Sequence, residues 1–334
     1  GYTFLGWYNG DNGTGEQITT ISVVSTPSDH TIYAKWQINS YTINFVENGG
    51  STVTNITQNY NTQVAKPANP TRTGYLFAEW YSDIGLTNLV TWPYTMGASN
   101  VDFYAKWTPI TYTVTYNGNN ATGGSTADST HTYDIAKNLT ANGYTRTGYS
   151  FLGWSLNAGA PTPSYADQES VLNLSSTNNA VVTFYAIWQA NTYQVTFNAN
   201  GGSGTMTPQD IVYGQTAALS TLAYTKTGYT FVGWATSAGG PAVYPNEANY
   251  TMNTTGATLY AKWQANTYTV VYNINDNSPA GWPATGTMAN TSHTYDTAMN
   301  LRTNAYARNA FTFVGWAVTE ERADAVLVDY TDGQ

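Results

Sequence analysis

The feature that most constrains this chain is that its sequence repeats against itself. The tetrapeptide Tyr-Ala-Lys-Trp stands at Tyr33–Trp36, Tyr104–Trp107 and Tyr260–Trp263, and a variant with Ile187 in place of lysine stands at Tyr185–Trp188. The tryptophans that end it are 71, 81 and 75 residues apart. A second landmark, Gly-Tyr-x-Phe-x-Gly-Trp, ends at Trp7, Trp154 and Trp234, with looser copies ending at Trp80 and Trp316. A third is an alternating pentad at Tyr41–Phe45, Tyr112–Tyr116, Tyr193–Phe197 and Tyr268–Tyr272. A fourth is a single tyrosine at Tyr60, Tyr133, Tyr213 and Tyr295, set 14 or 15 residues before the residue that opens the second landmark. Such a chain folds as a series of like modules with similar cores.

The landmarks divide the chain. Three copies are complete, at 38–107, 109–188 and 190–263. Residues 1–36 are the C-terminal half of a copy, and 265–334 are an incomplete copy that stops before its Tyr-Ala-Lys-Trp. The pattern predicts a segment of a longer array, whose open ends are covered by more of the same chain or by neighbouring chains in a filament. Joints as short as Gln37–Ser40, Thr108–Thr111, Gln189–Thr192 and Gln264–Thr267 restrict how neighbours orient, so an elongated array is expected.

The local patterns are those of strands. Tyr41, Ile43 and Phe45 share one face of the pentad while Thr42 and Asn44 share the other, which is the period of a half-buried strand. Ile32, Ala34 and Trp36 do the same in the tetrapeptide landmark. The Gly-Trp landmark carries apolar bulk on both faces, Tyr229 and Phe231 against Val232 and Trp234, and reads either as a central strand or as one lying under a covering loop. Asn48-Gly49-Gly50 and Asn200-Gly201-Gly202 supply residues tolerant of positive φ for turns. No run of ten residues has clean helical periodicity. The expected class is all-β to α+β, with about four strands per module.

Tyr112-Thr-Val-Thr-Tyr-Asn-Gly, Thr227-Gly-Tyr-Thr-Phe-Val-Gly-Trp and Thr258-Leu-Tyr-Ala-Lys-Trp-Gln together resemble the Listeria–Bacteroides repeat, a family of tandem modules in bacterial surface proteins. The resemblance runs over nearly the whole chain. It implies a β-grasp-like module, an extracellular location and a stalk or adhesin role, and it brings no catalytic residues. Ile187, the insertion at 273–286 and the Ala310-Phe311 pair depart from the pattern.

Composition narrows the chemistry. With 20 acidic and 11 basic residues the net charge is −9, which excludes a basic nucleic-acid binder. No apolar run is long enough to span a bilayer as a helix. Zero cysteines exclude disulfides, thiolate zinc and thiol nucleophiles. His30, His131 and His293 are scattered, and the counterparts of His131 and His293 are Gln58 and Ile211, which a catalytic base does not allow. No carboxylate pair, phosphate loop or nucleophile elbow stands out. The chain is therefore read as non-enzymatic, with no metal and no cofactor.

Nine tryptophans are assigned to the repeated core: Trp7, Trp36, Trp80, Trp107, Trp154, Trp188, Trp234, Trp263 and Trp316. Trp92 and Trp282 fall outside the landmarks, on loops, and are the binding candidates for a glycan or a host surface protein. Arg72, Arg146, Lys226 and Arg308, each two residues before the Gly-Tyr landmark, are expected to pair with acids of the next repeat or to stay solvated, with an anionic polymer as the other reading. The expected partners are neighbouring repeats of the same chain and other copies of it.

Overall fold

A computed structural model describes residues 1–276 and 282–334. The fold is nearly all-β. Contacts group the chain into two compact units, 1–146 with 151–189, and 147–150 with 190–334.

Each complete repeat contributes one four-stranded sheet. In 38–107 the pentad strand is Ser40–Val46, the tyrosine strand Ile56–Asn59, the Gly-Trp strand Tyr75–Tyr81 and the closing strand Val101–Pro109. Their order across the sheet is tyrosine, pentad, closing, Gly-Trp. The pentad and closing strands run parallel, with Ile43 opposite Val101 and Phe45 opposite Phe103, and the outer two pairings are antiparallel. The same order recurs with closing strands Val181–Ala190 and Ala257–Ala265. The closing strand, the last to appear in sequence, is thus central, so no repeat's sheet is complete until its final residues are in place.

The Gly-Trp strand is the edge strand under a covering loop, which decides between the two readings of its pattern. The loop pairs back on the tryptophan: Trp154 N–H donates to Tyr165 O at 2.8 Å and Tyr165 N–H returns a bond to Trp154 O at 3.0 Å. Both faces carry bulk because a bulge interrupts the alternation between Phe231 and Gly233, and Gly233 has φ +143. Phe231 and Trp234 then pack against each other, ring centres 5.1 Å apart.

Trp80, Trp154 and Trp234 are fully buried, each at the centre of its own repeat's core beside the last pentad ring: Phe45, Tyr116 or Phe197. Trp107, Trp188 and Trp263 are half-buried at the rim. Their Nε1–H groups donate to the turn after the pentad, at Glu47 O (2.7 Å), Gly118 O (2.9 Å) and Ala199 O (2.9 Å). Trp7 and Trp36 depart from their assignment to the core. They are 46% and 58% exposed, because residues 1–36 form only three strands, with no pentad strand beyond Tyr33–Ile38. Trp316 is only half-buried; its repeat has a pentad strand, Thr267–Val270, and among the described residues no closing strand. One short helix, Glu320–Asp324, lies in this last repeat, with Thr319 as its N-cap.

Candidate functional site

The single tyrosines, whose role the sequence left open, form the site that recurs most faithfully. Each lies on the residue that opens the preceding Gly-Tyr landmark. The first unit holds two such joints, Gly1 with Tyr60 and Gly74 with Tyr133; the second holds Gly148 with Tyr213 and Gly228 with Tyr295. A methyl group built on any of these glycines would lie within 2.4 Å of the tyrosine ring, so only glycine admits the contact. At Gly74, Gly148 and Gly228 the backbone is also left-handed, with φ of +77, +75 and +75, which glycine alone adopts at no steric cost.

Two backbone bonds fix each joint. The glycine carbonyl accepts from a linker N–H, that of Asn39 (2.9 Å), Ile110 (3.0 Å), Asn191 (2.9 Å) or Asn266 (2.9 Å). The carbonyl of the same linker residue accepts from the joint tyrosine N–H at 2.8, 3.0, 2.8 and 2.9 Å. The tyrosine ring then meets the landmark tyrosine edge-on, for example Tyr133 against Tyr75 at 5.8 Å and Tyr295 against Tyr229 at 5.7 Å. Where the linker residue is asparagine, its side chain accepts from a hydroxyl of the landmark: Thr3, Ser150 or Thr230, each at 2.6 Å. At the second joint this polar pair is replaced by Leu76 and the buried Ile110.

Two joints add a charged bond. Tyr75 OH donates to Asp134 Oδ2 at 2.7 Å, and Tyr229 OH to Asp296 Oδ2 at 3.1 Å. The bond raises the Tyr75 pKa above its ordinary value. The Asp134 carboxyl is held below the usual range, first by the Asn173 amide and then by Tyr75. Each of these bonds ties a landmark tyrosine hydroxyl to a carboxylate of the next copy.

Three of the four cations that precede the Gly-Tyr landmark, Arg72, Lys226 and Arg308, lie on aromatic rings. Arg72 lies over the Tyr75 ring at 3.8 Å, Lys226 over Tyr229 at 4.1 Å and Arg308 over Phe311 at 4.3 Å; Lys35 and Lys106 cover Tyr8 and Tyr81 at 4.8 Å. Tyr75, Tyr229 and Phe311 belong to the landmark that each cation precedes, and Tyr8 and Tyr81 directly follow the landmark tryptophans Trp7 and Trp80.

The two loop tryptophans part company. Trp92 is half-buried, its ring edge-on to Phe103 at 5.8 Å within its own core. Trp282 is 44% exposed, and most of the insertion preceding it, residues 277–281, lies outside the described residues. His131 is buried, stacked on Tyr112 and bonded through Nε2 to Ser129 Oγ at 3.0 Å; His293 repeats this with Tyr268 and Thr291. Among the described residues no three acidic or histidine side chains converge as a metal site would require. Among the described residues no helix is long and apolar enough to cross a membrane.

Comparison with known proteins agrees with the repeat geometry. The family model for the Listeria-Bacteroides repeat domain matches residues 1–35, 41–106, 112–187 and 193–262. Two Evansella cellulosilytica proteins are similar. One, provisionally named a membrane protein, is 30% identical over 290 residues, 86% of this chain and 40% of its own length. The other, provisionally named a Gly-rich membrane protein, is 31% identical over 284 residues, 83% of this chain and 31% of its own. Internalin H of Listeria monocytogenes is 35% identical over 130 residues, 35% of this chain and 23% of its own. The chain thus spans less than half the length of the curated relatives it matches. With four matched copies in tandem, each opening landmark joined to the next copy by the same tyrosine contact, this chain belongs to the Listeria–Bacteroides repeat family.

Proposed function

We propose that the chain is a non-enzymatic spacer of an extracellular surface protein, built from modules with boundaries at 38–107, 109–188 and 190–263. The observation that carries this reading is the fourfold joint. A spacer must transmit position from one module to the next, and the same glycine, linker and tyrosine recur for that purpose. The sheet order, with a parallel central pair flanked by antiparallel edges, supports a β-grasp-like module in which a covering loop stands where a helix would lie. The surface location is supported by the names of the relatives.

The absence of native cysteine makes the test direct. Spin labels at the exposed positions Ile84→Cys and Leu172→Cys straddle the Gly74 joint inside the first unit. One narrow distance distribution is expected, broadening when Tyr133→Ala is added. A distribution already broad in the unaltered chain would remove the spacer reading. The exposure of Trp282 supports a second reading, an adhesive loop. Trp282→Ala should then abolish adhesion to a glycan or host-protein surface without altering the melting curve.

A further inference from the structure

Each joint holds two tyrosine rings in contact, one from a landmark and one from the next copy. Tyr2 and Tyr60 have ring centres 6.0 Å apart, Tyr75 and Tyr133 5.8 Å, Tyr149 and Tyr213 5.7 Å, and Tyr229 and Tyr295 5.7 Å, all edge-on. Among the described residues one other pair of tyrosines meets in this way, Tyr244 with Tyr250 at 5.4 Å. That pair belongs to the core of its own repeat, and Tyr250 is buried. The joint rings are more open: Tyr2 is exposed and the other seven are half-buried. The linker bonds hold both backbones of each pair, and the torsion that turns an aromatic ring is broad. A turn of either ring brings the two edges together.

Two joints also hold a proton acceptor on the phenol. Tyr75 OH donates to Asp134 Oδ2 at 2.7 Å, and Tyr229 OH to Asp296 Oδ2 at 3.1 Å. A phenol that loses an electron becomes a strong acid, and a carboxylate already bonded to it takes the proton in place. The cations over these rings, Arg72 and Lys226, oppose loss of an electron. Transfer of the proton offsets this, because the radical left behind is neutral. The chain has no cysteine, so a covalent tie between copies needs a chemistry other than the disulfide.

We propose that the joint pairs are sites of dityrosine cross-linking, each closing one covalent bridge between a landmark and the next copy. The co-reactant is hydrogen peroxide acting through a one-electron oxidant of the haem peroxidase class. Each phenol gives up one electron and its hydroxyl proton, leaving two phenoxyl radicals. The radicals join through a ring carbon ortho to each oxygen and form one carbon–carbon bond. The protons on those two carbons then move to the oxygens, which restores both phenols. In sum the pair loses two electrons and two protons, and one hydrogen peroxide takes them up to give two waters. Holding the rings in contact makes the bond-forming step intramolecular, which selects these pairs among the 28 tyrosines. The site rests on the joint geometry. Its use, to fix the joint permanently in an extracellular spacer, rests on the reading proposed above.

The test treats the dilute 334-residue chain with peroxidase and hydrogen peroxide. A parallel sample receives photogenerated ruthenium(III) tris-bipyridine, a small oxidant that needs no docking. Peptide mass spectrometry identifies the linked pairs, each bridge lowering the mass by two hydrogen atoms. Bridges are expected first at Tyr75–Tyr133 and Tyr229–Tyr295, then at Tyr149–Tyr213 and Tyr2–Tyr60, with none at Tyr244–Tyr250. Tyr133→Phe keeps the ring, so it should abolish its own bridge while the Tyr229–Tyr295 bridge and the melting temperature stay in place. Asp134→Asn should slow the Tyr75–Tyr133 bridge roughly tenfold or more against the Tyr149–Tyr213 bridge, with the Tyr133 amide still protected from exchange. Dityrosine that is absent with both oxidants, formed only between chains, or spread over tyrosines outside the joints would overturn the proposal. Spin-label distances across Gly74 are read on the unoxidised chain, so the spacer reading and this one fail separately.

Discussion

At the scale of the residue, glycine is the joint's determinant. Gly74→Ala forces a methyl into the Tyr133 ring at a left-handed position, and a loss of about 1–3 kcal/mol is expected. Denaturant unfolding should read that loss, and hydrogen exchange should show the Tyr133 amide deprotected. Ala310 makes the comparison within the chain: it sits at the corresponding place with φ +65 and already carries the methyl. Ala310→Gly relieves that backbone and should stabilise the last repeat by about 0.5–1 kcal/mol. His131 is the titrating residue to watch. Burial lowers its pKa, and the nearby Lys137 charge lowers it further. The folded chain therefore binds fewer protons here than the unfolded one. The stability is fully present above about pH 6.5 and falls as pH drops from there towards the lowered native value. His131→Gln, the type of residue found at Gln58, should flatten the pH dependence of unfolding over that window.

At the scale of the element, the closing strand governs each module. It is clamped from one end of the pentad turn by two side chains, the asparagine amide onto its alanine carbonyl and its own tryptophan Nε1–H onto the turn. Asn200→Gly keeps the turn's positive φ and removes the side chain's two bonds, to Ala261 O and to Ala238 O, so it should cost about 1–3 kcal/mol. Asn200→Ala should cost more, since it adds a left-handed strain. The difference between the two variants in urea melts reads the left-handed strain apart from the lost side-chain bonds.

At the scale of the whole molecule, each complete repeat owns a core, and the joint contacts lie outside those cores. In such an array the stability is a sum of module terms and nearest-neighbour terms. Tyr133→Ala should therefore lower the cooperativity of calorimetric unfolding in the first unit more than it lowers the intrinsic stability of 109–188 measured alone. A single sharp transition that the substitution leaves unchanged would mean that the joint contributes position but no energy.

The sequence by itself determined the repeat, the strands at its landmarks and the family, because period-two alternation and recurrent aromatic spacing are local patterns that survive without coordinates. It also marked the joint tyrosines, through spacing alone, without disclosing their purpose. Tertiary structure decided what those residues touch. Tyr133 and Gly74 are 59 residues apart, and only the folded linker at Ile110 brings them together. It decided that the Gly-Trp strand lies at an edge, because a bulge that flips side-chain alternation mimics a strand buried on both faces. It sent Trp92 inward and left Trp282 out, a choice made by what each loop has to pack against. And it placed the last-synthesised strand at the sheet's centre, since strand order follows from pairing across the whole repeat and is not written in any one segment.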